Sequence, residues 1–137
     1  MSEQQNIQIV KDAYAAFGRG DIQSILSSCA ADVVWVSPGE GYMPQSGTFR
    51  GRDEVARFFQ IVGQTLDFKA FEPRSFVAQG DVVVALGYYR ATVKQTGKTF
   101  ESNWAMTFTV RGGKVAEFEE YTNTAVIASA YAAAKAA

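Results

Sequence analysis

Proton chemistry in this 137-residue chain has to proceed without histidine, for there is none. That removes Ser-His-Asp and Cys-His nucleophilic catalysis, His-ligated zinc and a haem held by a proximal histidine. Proton transfer near neutral pH is left to a carboxylate, a tyrosine or a lysine whose pKa its surroundings have shifted. Glu120 is the carboxylate best placed for this. It stands between Phe118 and Thr122 on the parity expected to face inward, so burial is expected to raise its pKa and favour proton exchange near neutrality. Arg90, on the face of Val84, Leu86 and Tyr88, could pair with Glu120 and lower that pKa again. The same pair would serve equally as a structural ion pair that fixes a sheet. Tyr14 and Tyr88 could supply phenolic donors to a ligand oxygen, or sit in the core with satisfied hydroxyls. No metal-ligand spacing, phosphate-cradling glycine loop or cofactor fingerprint appears. The expected reaction therefore uses no metal and no cofactor.

Aromatic residues make up 13% of the chain, which suits a protein that lines a cavity as well as filling a core. Trp35, Phe58 and Phe59 are expected wall residues, as are Trp104, Met106 and Phe108, although the same stripes also build ordinary cores.

Positioning these residues requires elements, and the chain punctuates them clearly. Ser2 can cap a first helix with Ile7, Val10, Tyr14 and Phe17 on one stripe, stopped by Gly18 and Gly20. Asp21 caps a short second helix carrying Ile22, Ile25, Leu26 and Cys29 on one face. A strand, Val33 to Val36, ends at Ser37-Pro38, and Gly39 to Gly47 reads as a loop with Tyr42 and Met43 at its apolar tip. Asp53 is the expected cap of a third helix whose stripe is Val55, Phe58, Phe59, Val62 and Leu66. From Phe68 to Asn123 the chain reads as strands separated by turns at Gly80, Gly97 and Gly112-Gly113. Asn123 or Thr124 then caps an alanine-rich helix over Ala125 to Ala136.

Helices followed by a meander of long strands imply an α+β domain, one domain over 1–137, with helices on one face of a sheet. After Gly97 the inward parity falls on Ser102, Trp104, Met106, Phe108 and Val110. In the last strand Val115, Glu117, Glu119 and Tyr121 share one face, and Ala116, Phe118, Glu120 and Thr122 the other. The strand after Gly80 is apolar on both faces until its end, which predicts a homodimer through the sheet, with a second subunit covering the outer face, or else burial of that face by the chain's own termini.

The remaining composition excludes more than it selects. Net charge is −1, so nothing advertises nucleic acid or an anionic membrane. No apolar run approaches the roughly 18 residues needed to span a bilayer, and a lone Cys29 gives no internal disulfide. The first residues, MSEQQNIQIVKDAY, carry acidic residues and no long apolar run, so no signal peptide and a cytoplasmic location are expected.

Val10-Lys11-Asp12-Ala13-Tyr14-Ala15-Ala16-Phe17-Gly18-Arg19-Gly20-Asp21 resembles the first helix and turn of the nuclear-transport-factor-2-like superfamily. So do Ala31-Asp32-Val33-Val34-Trp35, Gly47-Thr48-Phe49-Arg50-Gly51-Arg52-Asp53, and Gly112-Gly113-Lys114-Val115 followed by Phe118-Glu119-Glu120-Tyr121. Within it the chain is most similar to the SnoaL-like branch, related to polyketide cyclases, steroid isomerases and limonene epoxide hydrolase. The resemblance implies a curved antiparallel sheet wrapped around N-terminal helices, a cone-shaped, cystatin-like α+β barrel with an apolar cavity, and dimerisation through the outer sheet face. The scaffold hosts many chemistries, so family positions are carried over singly. Those of the steroid isomerases hold Ala13, Ser37 and Met106 here, and the cyclase acid/base position holds Asn123. None of these is a carboxylate. The epoxide-hydrolase pattern implies Arg90 and Glu120 as catalytic, with Thr92 where a second carboxylate would stand and Trp35 and Ser37 at the water-positioning places. Together these imply a cofactor-free acid/base enzyme or a non-catalytic binding protein. Either would hold a small hydrophobic molecule against Tyr14, Trp35, Ser37, Phe58, Phe59, Tyr88, Trp104, Met106, Phe108 and Phe118. An interaction module using the sheet face alone is the third reading.

Overall fold

Ser2 opens the first helix with a capping box: its hydroxyl accepts from the Gln5 amide at 3.1 Å while the Gln5 side chain accepts from the Ser2 amide at 2.8 Å. A computed structural model of the chain describes residues 2–132. Helix α1 spans Glu3–Gly18 and α2 spans Ile22–Ser28, the latter capped by Asp21, which accepts from the Ser24 amide at 3.1 Å. Strand β1 covers Cys29–Ser37 and a short β2 covers Gly47–Arg50. Helix α3 runs Gly51–Thr65, followed by β3 (Leu66–Gln79), β4 (Val82–Val93), β5 (Thr99–Arg111) and β6 (Lys114–Thr122). Helix α4 spans Thr124–Tyr131 behind Asn123, whose side chain accepts from the Val126 amide. The last residues of the expected alanine-rich helix, 133–136, lie outside the described residues.

Several expected boundaries move. Cys29, expected on the face of α2, is the first residue of β1, which begins ahead of Val33 because the backbone is already extended where the helix ends. Asp53 lies within the first turn of α3 and does not cap it; the N-cap is Arg50, and Glu54 reaches back to accept from the Arg50 amide at 2.7 Å. Leu66 leaves the α3 stripe to become the first residue of β3, on the extended backbone where the helix ends. Strand β2 was not expected: four residues are too few to show a period.

The sheet is curved and unclosed, in the order β2-β1-β6-β5-β4-β3. All neighbours are antiparallel except β1 and β6, which run parallel. Helices α1 and α3 lie across its inner face, and α4 packs against β5. No helix among the described residues is long and apolar enough to cross a membrane.

Side-chain parity sorts the inner face. On β5, Trp104, Met106, Phe108 and Val110 are buried, as the alternation required. On β4 the buried set is Val83, Ala85, Gly87, Tyr89, Ala91 and Val93, leaving Leu86, Tyr88 and Arg90 on the outer face. Gly87 is needed there, since any Cβ would run into the Trp104 ring and the Glu72 carbonyl. Strand β6 departs from simple alternation. Val110 pairs with Val115 but Thr109 with Glu117, so Ala116 is an extra residue and Val115 turns inward with Phe118. Val10, Val33, Val55, Val83 and Val93 anchor the core with almost no exposure, each burial worth about 1.5–3 kcal/mol.

Candidate active site

Where the helices meet the concave inner face, packing leaves a cavity of about 100 Å³ lined by aromatic rings and aliphatic side chains with a few polar groups. The parallel pairing of β1 and β6 puts Trp35 opposite Phe118 in register, and their rings stack with centroids 3.8 Å apart at 16°. Phe59 of α3 meets Trp35 edge-on at 5.5 Å, and Phe108 stands edge-on to Phe118 at 5.1 Å. Such offset and T-shaped contacts hold rings rigidly and add to the value of their burial. Tyr14 of α1 stacks on Trp104 at 5.7 Å and aims its hydroxyl at Met106 Sδ, 3.1 Å away.

Into this hydrocarbon lining β6 delivers one carboxyl group. Glu120 lies opposite Met106 in the β5–β6 register. Its Oε2 accepts a 2.7 Å hydrogen bond from the Tyr89 hydroxyl of β4, reaching across β5. Tyr89 Oη also lies 2.8 Å from Thr122 Oγ1. Loss of hydration disfavours the carboxylate and pushes the Glu120 pKa up to about 6, while the Tyr89 hydrogen bond pulls it back toward the ordinary range. Burial, and then the nearby Glu120 charge, hold the Tyr89 and Tyr14 phenols well above their usual pKa, so both remain protonated donors. No lysine or arginine is among the described residues lining the cavity. A carboxyl titrating near neutrality can give or take a proton, and a buried phenol can stabilise an oxygen that gains negative charge. Among the described residues no cluster of three His, Cys, Asp or Glu side chains could hold a metal ion.

The segment between β1 and β2 closes one side. Met43, 6% exposed, and Gln45 line the cavity, whereas Tyr42 at 75% exposure points to solvent. Gly39, at φ +85°, makes this possible, because a Cβ there would collide with the Met43 side chain.

Against this geometry, residues 10–118 match the SnoaL-like domain model. The chain belongs to the SnoaL-like family. An NTF2-like protein from Burkholderia xenovorans has 42% identity over 96% of this chain and 99% of its own, with a TM-score of 0.88. TerC, crystallised with polyporic acid, has 32% identity over 92% of this chain and 97% of its own, with a TM-score of 0.83. An uncharacterised protein of Mycobacterium tuberculosis is 26% identical over 88% of this chain and 91% of its own.

Within this SnoaL-like protein, the cavity brings together Glu120, Tyr14 and Ser37 with the ring residues Trp35, Phe58, Phe59, Phe108 and Phe118 and with Met106. Three expected site residues are elsewhere. Arg90 is exposed on the outer face of β4, in register with Glu101, so the expected pairing with Glu120 would have to cross the sheet. Tyr88 shares that face and donates to Glu101 Oε2 at 2.6 Å. Trp104 is buried behind Tyr14 and does not line the cavity. Among the residues missed are Tyr89, Thr122, Phe71, Met43 and Gln45. For Tyr89 a signal existed: two adjacent tyrosines on a strand must face opposite ways, and Tyr89 shares parity with Ala85, Gly87 and Ala91, of which Gly87 lies under the Trp104 ring.

Proposed function

We propose that this SnoaL-like protein is a cofactor-free acid/base enzyme of isomerase, cyclase or epoxide-hydrolase type, acting in the cytoplasm on a small hydrophobic molecule. Glu120 exchanges the proton, Tyr89 holds its carboxyl in position, and the Trp35–Phe118 stack forms the floor on which a ring lies. The observation that carries this reading is a carboxyl facing the cavity, its pKa pushed up to about 6 by loss of hydration, whose hydrogen-bond partner among the described residues is one phenol, in a mostly apolar lining. That TerC was crystallised with polyporic acid supports a small organic ligand for this scaffold. Exposed Val77, Leu86 and Tyr121 on the outer sheet face support a homodimer, which sedimentation equilibrium tests.

A second reading, a non-catalytic binding protein, is favoured by one fact: with Arg90 outside, no charged group among the described residues of the lining accompanies Glu120. Incubating a panel of cyclic ketones with the protein in D₂O and following deuterium uptake beside the carbonyl by NMR separates the two. The enzyme reading expects exchange of at least one ketone, lost by about 100-fold or more in Glu120→Gln. Ligands that bind equally to both proteins and exchange in neither select the binding protein.

A further inference from the structure

The polar contact of Glu120 continues beyond Tyr89. Tyr89 Oη lies 2.8 Å from Thr122 Oγ1, which lies 3.1 Å from Ser102 Oγ. Ser102 in turn sits 2.6 Å from the Asn103 carbonyl oxygen and accepts from the Asn123 amide at 3.2 Å. Asn103 and Asn123 are exposed, Thr122 and Ser102 half-buried, and Glu120 at the other end lines the cavity. Three hydroxyls in series thus join the carboxyl to the protein surface where β6 hands over to α4. Each can donate one proton and accept another, so the chain has two complete orientations. With Glu120 protonated, the carboxyl donates to Tyr89, Tyr89 to Thr122, Thr122 to Ser102 and Ser102 to the Asn103 carbonyl. With Glu120 ionised, Tyr89 donates to the carboxylate, Thr122 to Tyr89 and Ser102 to Thr122.

From this geometry we infer that Tyr89, Thr122 and Ser102 form a proton relay through which Glu120 exchanges its proton with solvent behind the bound molecule. The step balances. The carboxyl O–H breaks as its proton bonds to Tyr89 Oη, the Tyr89 proton passes to Thr122, that of Thr122 to Ser102, and that of Ser102 to water once its hydroxyl swings from the Asn103 carbonyl toward solvent. Among the described residues the only other titratable groups lining the cavity are Tyr14 and Tyr89, both held protonated, so neither competes as a base. An apolar molecule filling the mouth would shut out water from that side and leave this route open. The inference rests on the proposed acid/base role of Glu120 and assigns Thr122 and Ser102 as positioning residues for its proton.

The test follows the infrared carbonyl band of protonated Glu120, identified by its absence in Glu120→Gln, in protein whose cavity is saturated with cyclohexane to shut the mouth to water, after a stopped-flow jump from about pH 8 to about pH 5. Thr122→Val keeps the shape and removes the hydroxyl; Thr122→Ser restores it. The relay expects the band to grow roughly tenfold or more slowly in Thr122→Val and at close to the wild-type rate in Thr122→Ser. Equal rates in all three proteins would overturn the relay and leave the acid/base role standing. A wild-type protein that shows no such band at either pH would overturn both.

Discussion

Tyr89 and Glu120 meet across a strand that belongs to neither of them. The phenol of β4 and the carboxyl of β6 join at 2.7 Å over β5, beside Met106, so three strands must keep register for one hydrogen bond to form. The bond sets the acidity of the carboxyl: burial raises the pKa, and the phenol limits the rise because it donates to the ionised form.

Stability should therefore respond to pH through Glu120. Its folded pKa, about 6, lies above the ordinary value of 4.5, so between those values the unfolded chain has already released a proton that the folded protein retains. The derivative of stability with pH is then negative: folding is favoured below about pH 4.5 and loses about 2 kcal/mol by the time the pH has risen past 6. Glu120→Gln is expected to be more stable than wild type at pH 8 by about 1–2 kcal/mol, and to lose this part of the slope, in urea titrations across the range.

Removing the phenol should move the carboxyl in one direction. Tyr89→Phe takes away the group that lowers the Glu120 pKa and leaves the apolar surroundings intact, so the pKa is expected to rise above about 6. Carboxyl-carbon NMR of glutamate-labelled protein reads the shift, and an unchanged midpoint would show that Tyr89 does not set it.

Arg90 separates the observed geometry from the expected one. Exposed and on the far face of β4, its replacement by alanine should leave the Glu120 titration and any ketone exchange unaltered, with stability changed by no more than about 0.5 kcal/mol. A shifted Glu120 midpoint in Arg90→Ala would restore the ion pair and contradict the placement.

Gly87 is expected to be intolerant. Gly87→Ala puts a methyl group into the Trp104 ring and the Glu72 carbonyl, and overpacking of this kind costs about 1–3 kcal/mol. Chemical denaturation measures it, with Gly63→Ala as the control because nothing lies within 4 Å of a Cβ there.

Much of this was legible from side-chain alternation, and the failures share a cause. On β5, Trp104, Met106 and Phe108 alternate with Asn103, Thr107 and Thr109, so one face could be assigned to the core without a structure. On β4 both faces are apolar, alternation carries no sign, and Arg90 and Tyr88 were expected on the wrong side. Phe118 and Glu120 fell on their expected parity, but the extra residue Ala116 let Val115 join the core, and a bulge leaves no trace in a hydrophobic pattern. Tyr89 needed register across three strands, and Met43 needed a loop whose path depends on Gly39; both are long-range properties that local periodicity does not contain.

The most direct test of the account is the carboxyl-carbon NMR titration of Glu120 in the wild-type protein, assigned by loss of its signal in Glu120→Gln. A midpoint near 6, well above the ordinary 4.5, is the predicted result; a midpoint at or below 4.5 would mean a solvated or ion-paired carboxylate and would contradict the proposed proton exchange.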